Sequence, residues 1–280
     1  MAQNDNKLTR SEQREAARAM AKQMREAQKK SDQRRRLSIV AGVVALVLGI
    51  GALIGWSVVA SKPAPSLTPT NLIYDNGIRI GTGLAAFTPT VKPTTQNVPV
   101  IKIYLDYQCP ICQAFDVPNS SLIESKVNAG EWIVEYHPIS FLDGRASPNT
   151  YSSRAANSAI CVSEYDPNKF LTYTNLLYAH QPAENTAGPE NDALVKFTEQ
   201  VQVKNADKIA SCINNKSFGA WIKSTTDTAL NEKVPGTNLN VDGTPFIVVN
   251  GQKYTWNTAA DLGSPARFEQ WVTAAWAATN

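Results

Sequence analysis

Two cysteines separated by two residues, Cys109 and Cys112, are the side chains whose types and spacing most directly predict chemistry. Two thiols at this spacing can close a small disulfide, which a thiolate from another molecule can attack and exchange. Pro110 and Ile111 stand between them, and a proline suits the first turn of a helix, where its missing N–H is not needed. Cys109 would then lie at the positive end of the helix dipole, which lowers the pKa of a thiol. The spacing therefore predicts a redox-active pair.

A zinc site is the main alternative for a Cys-X-X-Cys sequence. Structural zinc normally requires a second close pair of cysteines or histidines. The other cysteines, Cys161 and Cys212, lie far apart in the sequence, and the two histidines, His137 and His180, are isolated. We therefore expect no metal, and we interpret His137 as a strand residue with a satisfied ring rather than as a catalytic base.

The elements that must position the pair lie on either side of it. The residues VIKIYL at 100–105 predict a buried strand that runs directly into the cysteines, and a helical spacing follows. Pro118 predicts that this helix kinks or ends, and the capping-box spacing of Ser121 and Glu124 allows a fresh helical start. WIVEYH at 132–137 alternates like a second strand.

A second informative stretch, near the C-terminus, begins with Thr244 and Pro245. The apolar run 246–249 predicts a core strand, and the Asn-Gly pair at 250–251 predicts a type I′ hairpin turn with a return strand. A proline just before a strand can simply open it. The stretch 264–278 predicts a final helix with one apolar face.

Between these regions, from about 146 to 233, the sequence shows helical stretches separated by X-Pro pairs, and no strand pattern. This predicts an all-helical block inserted between strands, and Cys161 and Cys212 both fall in it. In an oxidising compartment the two would pair as a structural disulfide, worth up to about 4 kcal/mol by the chain-entropy model. Two unpaired buried thiols are the alternative.

The start of the chain differs in composition from the rest. Residues 1–36 carry 11 Lys and Arg against 5 Asp and Glu, whereas the remainder carries 16 against 19. The run 37–61 has no charged residue and is long enough to cross the roughly 30 Å apolar layer of a bilayer. Three arginines precede it and only Lys62 follows closely, so the positive-inside rule places the N-terminus in the cytoplasm and the rest outside. A signal peptide cleaved near 58–60 is the alternative to this uncleaved anchor.

Three further regions complete the predicted organisation. Residues 1–36 are interpreted as a solvated cytoplasmic tail; contact with anionic lipid is an alternative, and nucleic-acid binding, which would rest on charge alone, is not expected. Residues 62–97, rich in Pro and Thr, predict an extended linker, in which the Asp-Asn-Gly turn signal at 75–77 allows a short hairpin to dock on the domain edge. Residues 98–280 form the predicted main domain.

The order of strand, CPIC helix, strand, helical block, Thr-Pro, hairpin and helix resembles the DsbA family of thioredoxin-fold oxidoreductases. The likeness is greatest to its membrane-anchored Gram-positive and actinobacterial members. It runs from about residue 98 to the C-terminus and is most specific at DYQCPIC, 106–112, and GTPF, 243–246. It implies an α/β thioredoxin fold with an inserted helical subdomain, preceded here by a single N-terminal transmembrane helix.

The resemblance also implies roles for residues around the cysteines. Pro245 would be cis and face the Cys-X-X-Cys sequence, and Thr244 would offer its backbone to an extended substrate. Pro110 and Ile111 are counted with them as substrate-binding residues. The best-known DsbA has histidine where Ile111 stands, so the Cys109 pKa should lie between the values of about 3.5 in DsbA and about 7 in thioredoxin.

A second departure concerns a buried acid. Some relatives carry an acidic residue six positions before the first cysteine, where this chain has Ile103. Asp106 could tune the site instead, and a capping or surface role is the alternative.

The expected function is extracytoplasmic dithiol–disulfide exchange that introduces disulfides into unfolded exported proteins, with Cys109 and Cys112 catalytic. No metal or organic cofactor is expected, because the redox-active disulfide Cys109–Cys112 carries the electrons. The resemblance implies reoxidation by a quinone-linked membrane partner of the DsbB or VKOR-like type. A reductase or isomerase of the same fold, and a non-catalytic membrane-tethered peptide-binding module, are the alternatives.

Overall fold

The computed structural model describes residues 67–72, 74–90, 97–145 and 150–278, together with six single helical residues before position 43. The chain divides into two units, Met1–Pro63 and Ala64–Asn280, and every strand and helix named below belongs to the second. Apart from the six single residues, the predicted tail and the predicted membrane-spanning segment lie outside the described residues. Among those that are described, no helix has both the length and the apolar character that crossing a bilayer requires.

A five-stranded mixed sheet forms the centre of the second unit, in the order β1-β3-β2-β4-β5. Its strands are β1 (Ile78–Ile80), β2 (Val100–Leu105), β3 (Ile133–Pro138), β4 (Phe246–Val249) and β5 (Gln252–Lys253). β2 runs parallel to β3 and antiparallel to β4, and the edge strands β1 and β5 pair antiparallel with β3 and β4. The end of β2 and the start of β4 therefore lie at the same edge of the sheet.

The helices pack around this sheet. Within the described residues they are α1 (Pro110–Asn128), α2 (Tyr151–Tyr165), α3 (Phe170–Ala179), α4 (Asn191–Gln200), α5 (Ala206–Asn214), α6 (Gly219–Asn231), α7 (Ala259–Leu262) and α8 (Pro265–Ala277). α1 contacts β3 and α8 contacts β4. Phe115 of α1 meets Phe268 of α8 edge to face, with ring centroids 5.0 Å apart, and both rings are buried. These contacts hold the start of α1 at the edge where β2 ends.

The strands predicted at 100–105, 132–137 and 246–249 are present to within one residue. Asn250 and Gly251 both have positive φ, 49° and 76°, as the predicted type I′ turn requires. Of the two outcomes predicted at Pro118, a kink or an end, the helix end is wrong, because α1 continues through this residue to Asn128. Its apolar face is buried along the whole length, which outweighs the hydrogen bond that the proline removes.

The helical block is present between β3 and β4 as α2 to α6. Cys161 of α2 and Cys212 of α5 are bonded, with an S–S distance of 2.02 Å, so the two cysteines of this block are paired as expected. Both are buried within the main core, which the block shares with one face of the sheet. The bond ties together two helices that are 51 residues apart in sequence.

The segment 67–90 packs on the domain and is not a free linker. β1 pairs with β3 at the sheet edge, where the docked hairpin was expected, and Ile78 and Ile80 are fully buried. Residues 67–72 and 74–90, which lie in the predicted linker, belong to the same compact unit as the residues from 98 onward. The reason is that isoleucines at alternate positions of a Pro/Thr-rich stretch suffice to bury one face of an edge strand.

Candidate active site

The turn 106–109 connects β2 to α1 and makes Cys109 the N-cap of the helix. Cys109 has extended φ and ψ angles of −73° and 116°, and its N–H donates to the carbonyl of Asp106 at 3.1 Å, which closes the turn. Cys112 lies in the first turn of α1. Both cysteines are free thiols, Cys109 6% exposed and Cys112 1% exposed, so Cys109 is the more accessible sulfur.

Cys109 ionises more readily than an ordinary cysteine, because its pKa is lowered to about 6. The largest cause is the hydrogen bond from the Cys112 thiol; burial opposes it, and Thr244 and the N–H groups of Cys112 and Ile111 add to the lowering. These N–H groups belong to the first turn of a helix, where they have no carbonyl partner and can point at a sulfur. At neutral pH the Cys109 sulfur is therefore mainly a thiolate.

Cys112 differs sharply from its partner. Burial, followed by the interaction with Cys109, raises the pKa of this thiol well above the ordinary value. It therefore stays protonated and donates to Cys109. Two residues of the same type thus have unequal roles, with the charge on the outer sulfur and the proton on the inner one.

Asp106 lies directly behind the turn and is fully buried. Its carboxylate accepts the N–H of Gln108 at 2.8 Å and the N–H of Leu142 at 2.9 Å. Burial raises the pKa of Asp106 to about 7, and its charge interacts with both cysteines. Asp106 is therefore a buried backbone cap close to the sulfurs, not a surface residue.

The loop before β4 faces the cysteines from the other side. The Thr244–Pro245 peptide bond is cis, as the resemblance implied. The Cys109 sulfur lies 3.2 Å from the carbonyl oxygen of Thr244, which accepts a hydrogen bond from it when the thiol is protonated. This contact exists because β4 starts at the edge where β2 ends, so both loops leave the sheet together. On the rim, Pro110 is exposed and the Ile111 side chain is 42% exposed, which places apolar surface beside Cys109.

Three glutamines that sequence reasoning missed connect the cysteine-bearing turn to the helical block. Each donates side-chain N–H groups to backbone carbonyls, as follows: Gln108 to Ala183 and Thr186, Gln113 to Tyr178, and Gln181 to Tyr107 and Cys109. The bonded residues are 65 to 78 positions apart in sequence. Since such contacts depend on how the block docks, no local pattern could have revealed them.

His137 is not placed among these contacts. Its Nε2 lies 2.7 Å from a carboxylate oxygen of buried Glu135, so its ring is satisfied as predicted. Tyr104 stacks on the ring with centroids 4.3 Å apart. Within the described part of the chain, no three His, Cys, Asp or Glu side chains are grouped in a way that could hold a metal ion.

Comparison with known proteins agrees with this geometry. Residues 95–266 match the family model described as thioredoxin. Over 193 residues, 66% of this chain, the sequence is 30% identical to the serine/threonine-protein kinase PknE of Mycobacterium tuberculosis H37Rv, of which the match covers 31%. The chain therefore spans about a third of the length of the curated relatives it matches.

Two solved structures extend the comparison. Oxidised DsbA of M. tuberculosis is 26% identical, with a TM-score of 0.52 over 73% of this chain and 100% of that one. The reduced form of the disulfide oxidoreductase DsbG from the same organism is 27% identical, with a TM-score of 0.52 over 72% of this chain and 93% of that one. The chain therefore belongs to the thioredoxin family, whose model matches residues 95–266, and it has the fold of the DsbA and DsbG structures.

Proposed function

We propose that the chain is an extracytoplasmic enzyme that introduces disulfides into unfolded exported proteins through Cys109 and Cys112. The observation that carries this proposal is the position of Cys109 at the N-cap of α1, with Cys112 in the first turn, where its surroundings lower the Cys109 pKa. A sulfur that holds negative charge readily is a good leaving group when a disulfide is attacked. Exchange is therefore favoured from this pair toward substrate thiols of higher pKa.

The reaction begins with Cys109 and Cys112 joined as a disulfide. A substrate thiolate attacks Sγ of Cys109, a bond forms between these two sulfurs, and the electron pair of the broken bond passes to Cys112. Cys112 then takes up a proton from solvent, because its pKa is high. A second substrate thiolate attacks the substrate sulfur of the mixed disulfide, and Cys109 leaves as a thiolate. The substrate is oxidised by two electrons and the enzyme is reduced by two.

The cis Thr244–Pro245 loop supports substrate binding beside the reacting sulfur. The carbonyl of Thr244 lies 3.2 Å from Sγ of Cys109, so a peptide bonded to this sulfur would run along the Thr244 backbone. Backbone contacts of this kind recognise an extended chain without regard to its side chains. The exposed side chain of Ile111 adds apolar contact, which suits an unfolded substrate.

The cellular setting follows from the sequence and from the second disulfide. Structural disulfides such as Cys161–Cys212 persist in oxidising compartments, which supports a location outside the cytoplasm. We place the chain in the cell membrane through residues 37–61, with its N-terminus inside. The reduced enzyme then requires an electron acceptor, for which we propose a quinone-linked membrane oxidase of the DsbB or VKOR-like type.

A reductase or isomerase is the second candidate. The observation that favours it is the apolar Ile111 between the cysteines, which supplies no positive charge to stabilise the Cys109 thiolate. Equilibration of the full-length chain with reduced and oxidised glutathione separates the two. The oxidase predicts an equilibrium constant on the oxidising side of thioredoxin's, whereas a value equal to thioredoxin's favours the reductase.

A trapping experiment tests the catalytic role itself. Cys112→Ala removes the thiol that would release Cys109 from a mixed disulfide, so complexes with exported proteins should accumulate in cells. The double variant Cys109→Ala/Cys112→Ala is the control and should trap nothing. If neither variant accumulates mixed disulfides with exported proteins, the exchange mechanism at Cys109 is wrong.

A further inference from the structure

Gln181, a half-buried residue two positions beyond α3, reaches the turn that carries Cys109. Its Nε2 donates to the carbonyl oxygens of Tyr107 and Cys109, both at 3.0 Å. These two carbonyls lie on either side of Gln108, whose own amide donates to the loop that follows Gln181. A single amide group of the helical block therefore spans the turn immediately before α1.

The carbonyl of Cys109 is the geometrically important partner. Its direction is set by the ψ angle of Cys109, 116°, which keeps this residue extended at the N-cap. In this conformation the sulfur faces the N–H groups of Ile111 and Cys112, which hydrogen-bond to it. The same carbonyl accepts the backbone N–H of Gln113 at 3.2 Å. Gln181 and this first bond of α1 together hold the carbonyl and so keep the sulfur over the start of the helix.

The need for this support differs between the two redox forms. In the disulfide form the covalent bond itself fixes the Cys109 sulfur to the first turn of α1. In the reduced form, which the structure shows, noncovalent contacts must hold it. We propose that Gln181 is a positioning residue that stabilises the reduced Cys109–Cys112 pair more than the disulfide, and so makes the pair a stronger oxidant. The proposal rests on exchange at this pair, but not on its direction in the cell.

Gln113 offers a matched comparison in the same interface. Its Nε2 donates to the carbonyl of Tyr178 at 2.7 Å, so it also joins the active-site region to the helical block. This bond connects α1 to α3, whereas the bonds of Gln181 end on the turn before α1. Loss of either amide removes side-chain hydrogen bonds, but only loss of Gln181 removes a bond to the carbonyl of Cys109, which then keeps the backbone N–H of Gln113 as its donor.

The test compares Gln181→Leu with Gln113→Leu in the full-length chain, with the Cys161–Cys212 bond intact. Each protein is equilibrated with glutathione. In this reaction the enzyme disulfide and two glutathione thiols give the enzyme dithiol and one glutathione disulfide. Gln181→Leu is expected to shift this equilibrium about fivefold toward the enzyme disulfide, the effect of one hydrogen bond. Gln113→Leu is expected to leave the equilibrium unchanged.

Denaturant unfolding of both redox forms gives an independent readout. Gln181→Leu should lower the unfolding free energy of the reduced form more than that of the oxidised form, whereas Gln113→Leu should lower both equally. If Gln181→Leu lowers the unfolding free energy of the reduced and oxidised forms equally, Gln181 is an ordinary structural residue and the proposal is overturned. If Gln181→Leu does not fold, Gln181→Asn, with the amide on a shorter side chain, replaces it with the same expected direction. The equilibrium constant of the wild-type protein with glutathione tests the oxidase role. The ratio of the variant's equilibrium constant to that of the wild type tests the positioning role of Gln181.

Discussion

At the scale of residues, the chemistry depends on how two identical thiols are made different. Cys109 sits at the helix start, hydrogen-bonded by Cys112, and its pKa falls to about 6. Cys112 lies one turn further in, where burial raises its pKa. The difference comes mainly from the hydrogen bond that Cys112 donates to Cys109, with a further contribution from the N–H groups at the start of α1.

A cation added next to the sulfur should therefore strengthen the effect. Ile111 is 42% exposed, so Ile111→His can place an imidazole beside Cys109 without filling the core. A protonated histidine favours the thiolate, and we expect the Cys109 pKa to fall by about one unit or more. The change is measured by the absorbance of the thiolate during a pH titration of the reduced protein.

Val117 provides the control for this prediction. It lies on the same helix, is 51% exposed, and is further from the N-terminal end. Val117→His should leave the Cys109 titration unchanged. An equal shift from both histidines would mean that overall charge, and not the place of Ile111, sets the pKa.

At the scale of elements, α1 carries the cysteines on a helix whose inner face contains a buried acid. Asp116 is buried, one of its carboxylate oxygens has no hydrogen-bond partner, and burial, followed by the charge of Glu124, raises its pKa to about 7. A carboxyl group whose pKa is higher in the folded than in the unfolded state stabilises the fold only while protonated. Its contribution is therefore lost as pH rises through 7.

Asp116→Asn should remove this loss. Relative to wild type, the variant is expected to gain stability as pH rises from 4 to 8, by up to about 4 kcal/mol. The measurement is the unfolding free energy at several pH values, made in a Cys109→Ser background so that the cysteine pair does not contribute. Parallel pH profiles for the two proteins would show that Asp116 is already ionised in the folded state.

At the scale of the whole molecule, local sequence patterns predicted the elements whose structure depends on residues adjacent in the chain. The strand before Cys109, the Asn250-Gly251 turn and the helix start at Pro110 all depend on residues close in sequence. The bond from Gln181 to Cys109 spans 72 residues and depends on how the helical block docks, so the sequence held no signal for it.

Two expectations from the sequence, one for Pro118 and one for the segment before β2, differ from the structure for a similar reason. Pro118 predicts a kink or an end of the helix because a proline lacks the N–H that the helix needs. This local rule does not include the burial of α1, which carries the helix through to Asn128. Residues 62–97 are interpreted as an extended linker from their Pro and Thr content, with only a short hairpin docked on the domain, although Ile78 and Ile80 complete the sheet edge. In both cases tertiary burial outweighed local composition.

The second disulfide makes a prediction at this scale. Cys161–Cys212 closes a loop of 51 residues, so Cys161→Ala/Cys212→Ala should lower the unfolding free energy by up to about 4 kcal/mol. The Cys109 pKa should not change, because groups at the start of α1 set it. Denaturant unfolding and a thiol titration of the same protein check both parts. A loss of stability together with a shifted Cys109 pKa would show that the bond also shapes the active site.

The most direct test of the whole account is the ionisation of Cys109 in the reduced full-length chain. Thiolate absorbance is recorded as the pH is raised, with Cys109→Ser as the control that removes the signal. The account predicts a transition with a pKa near 6, absent from the control. A Cys109 that ionises only near 8.5, like a free cysteine, would contradict it.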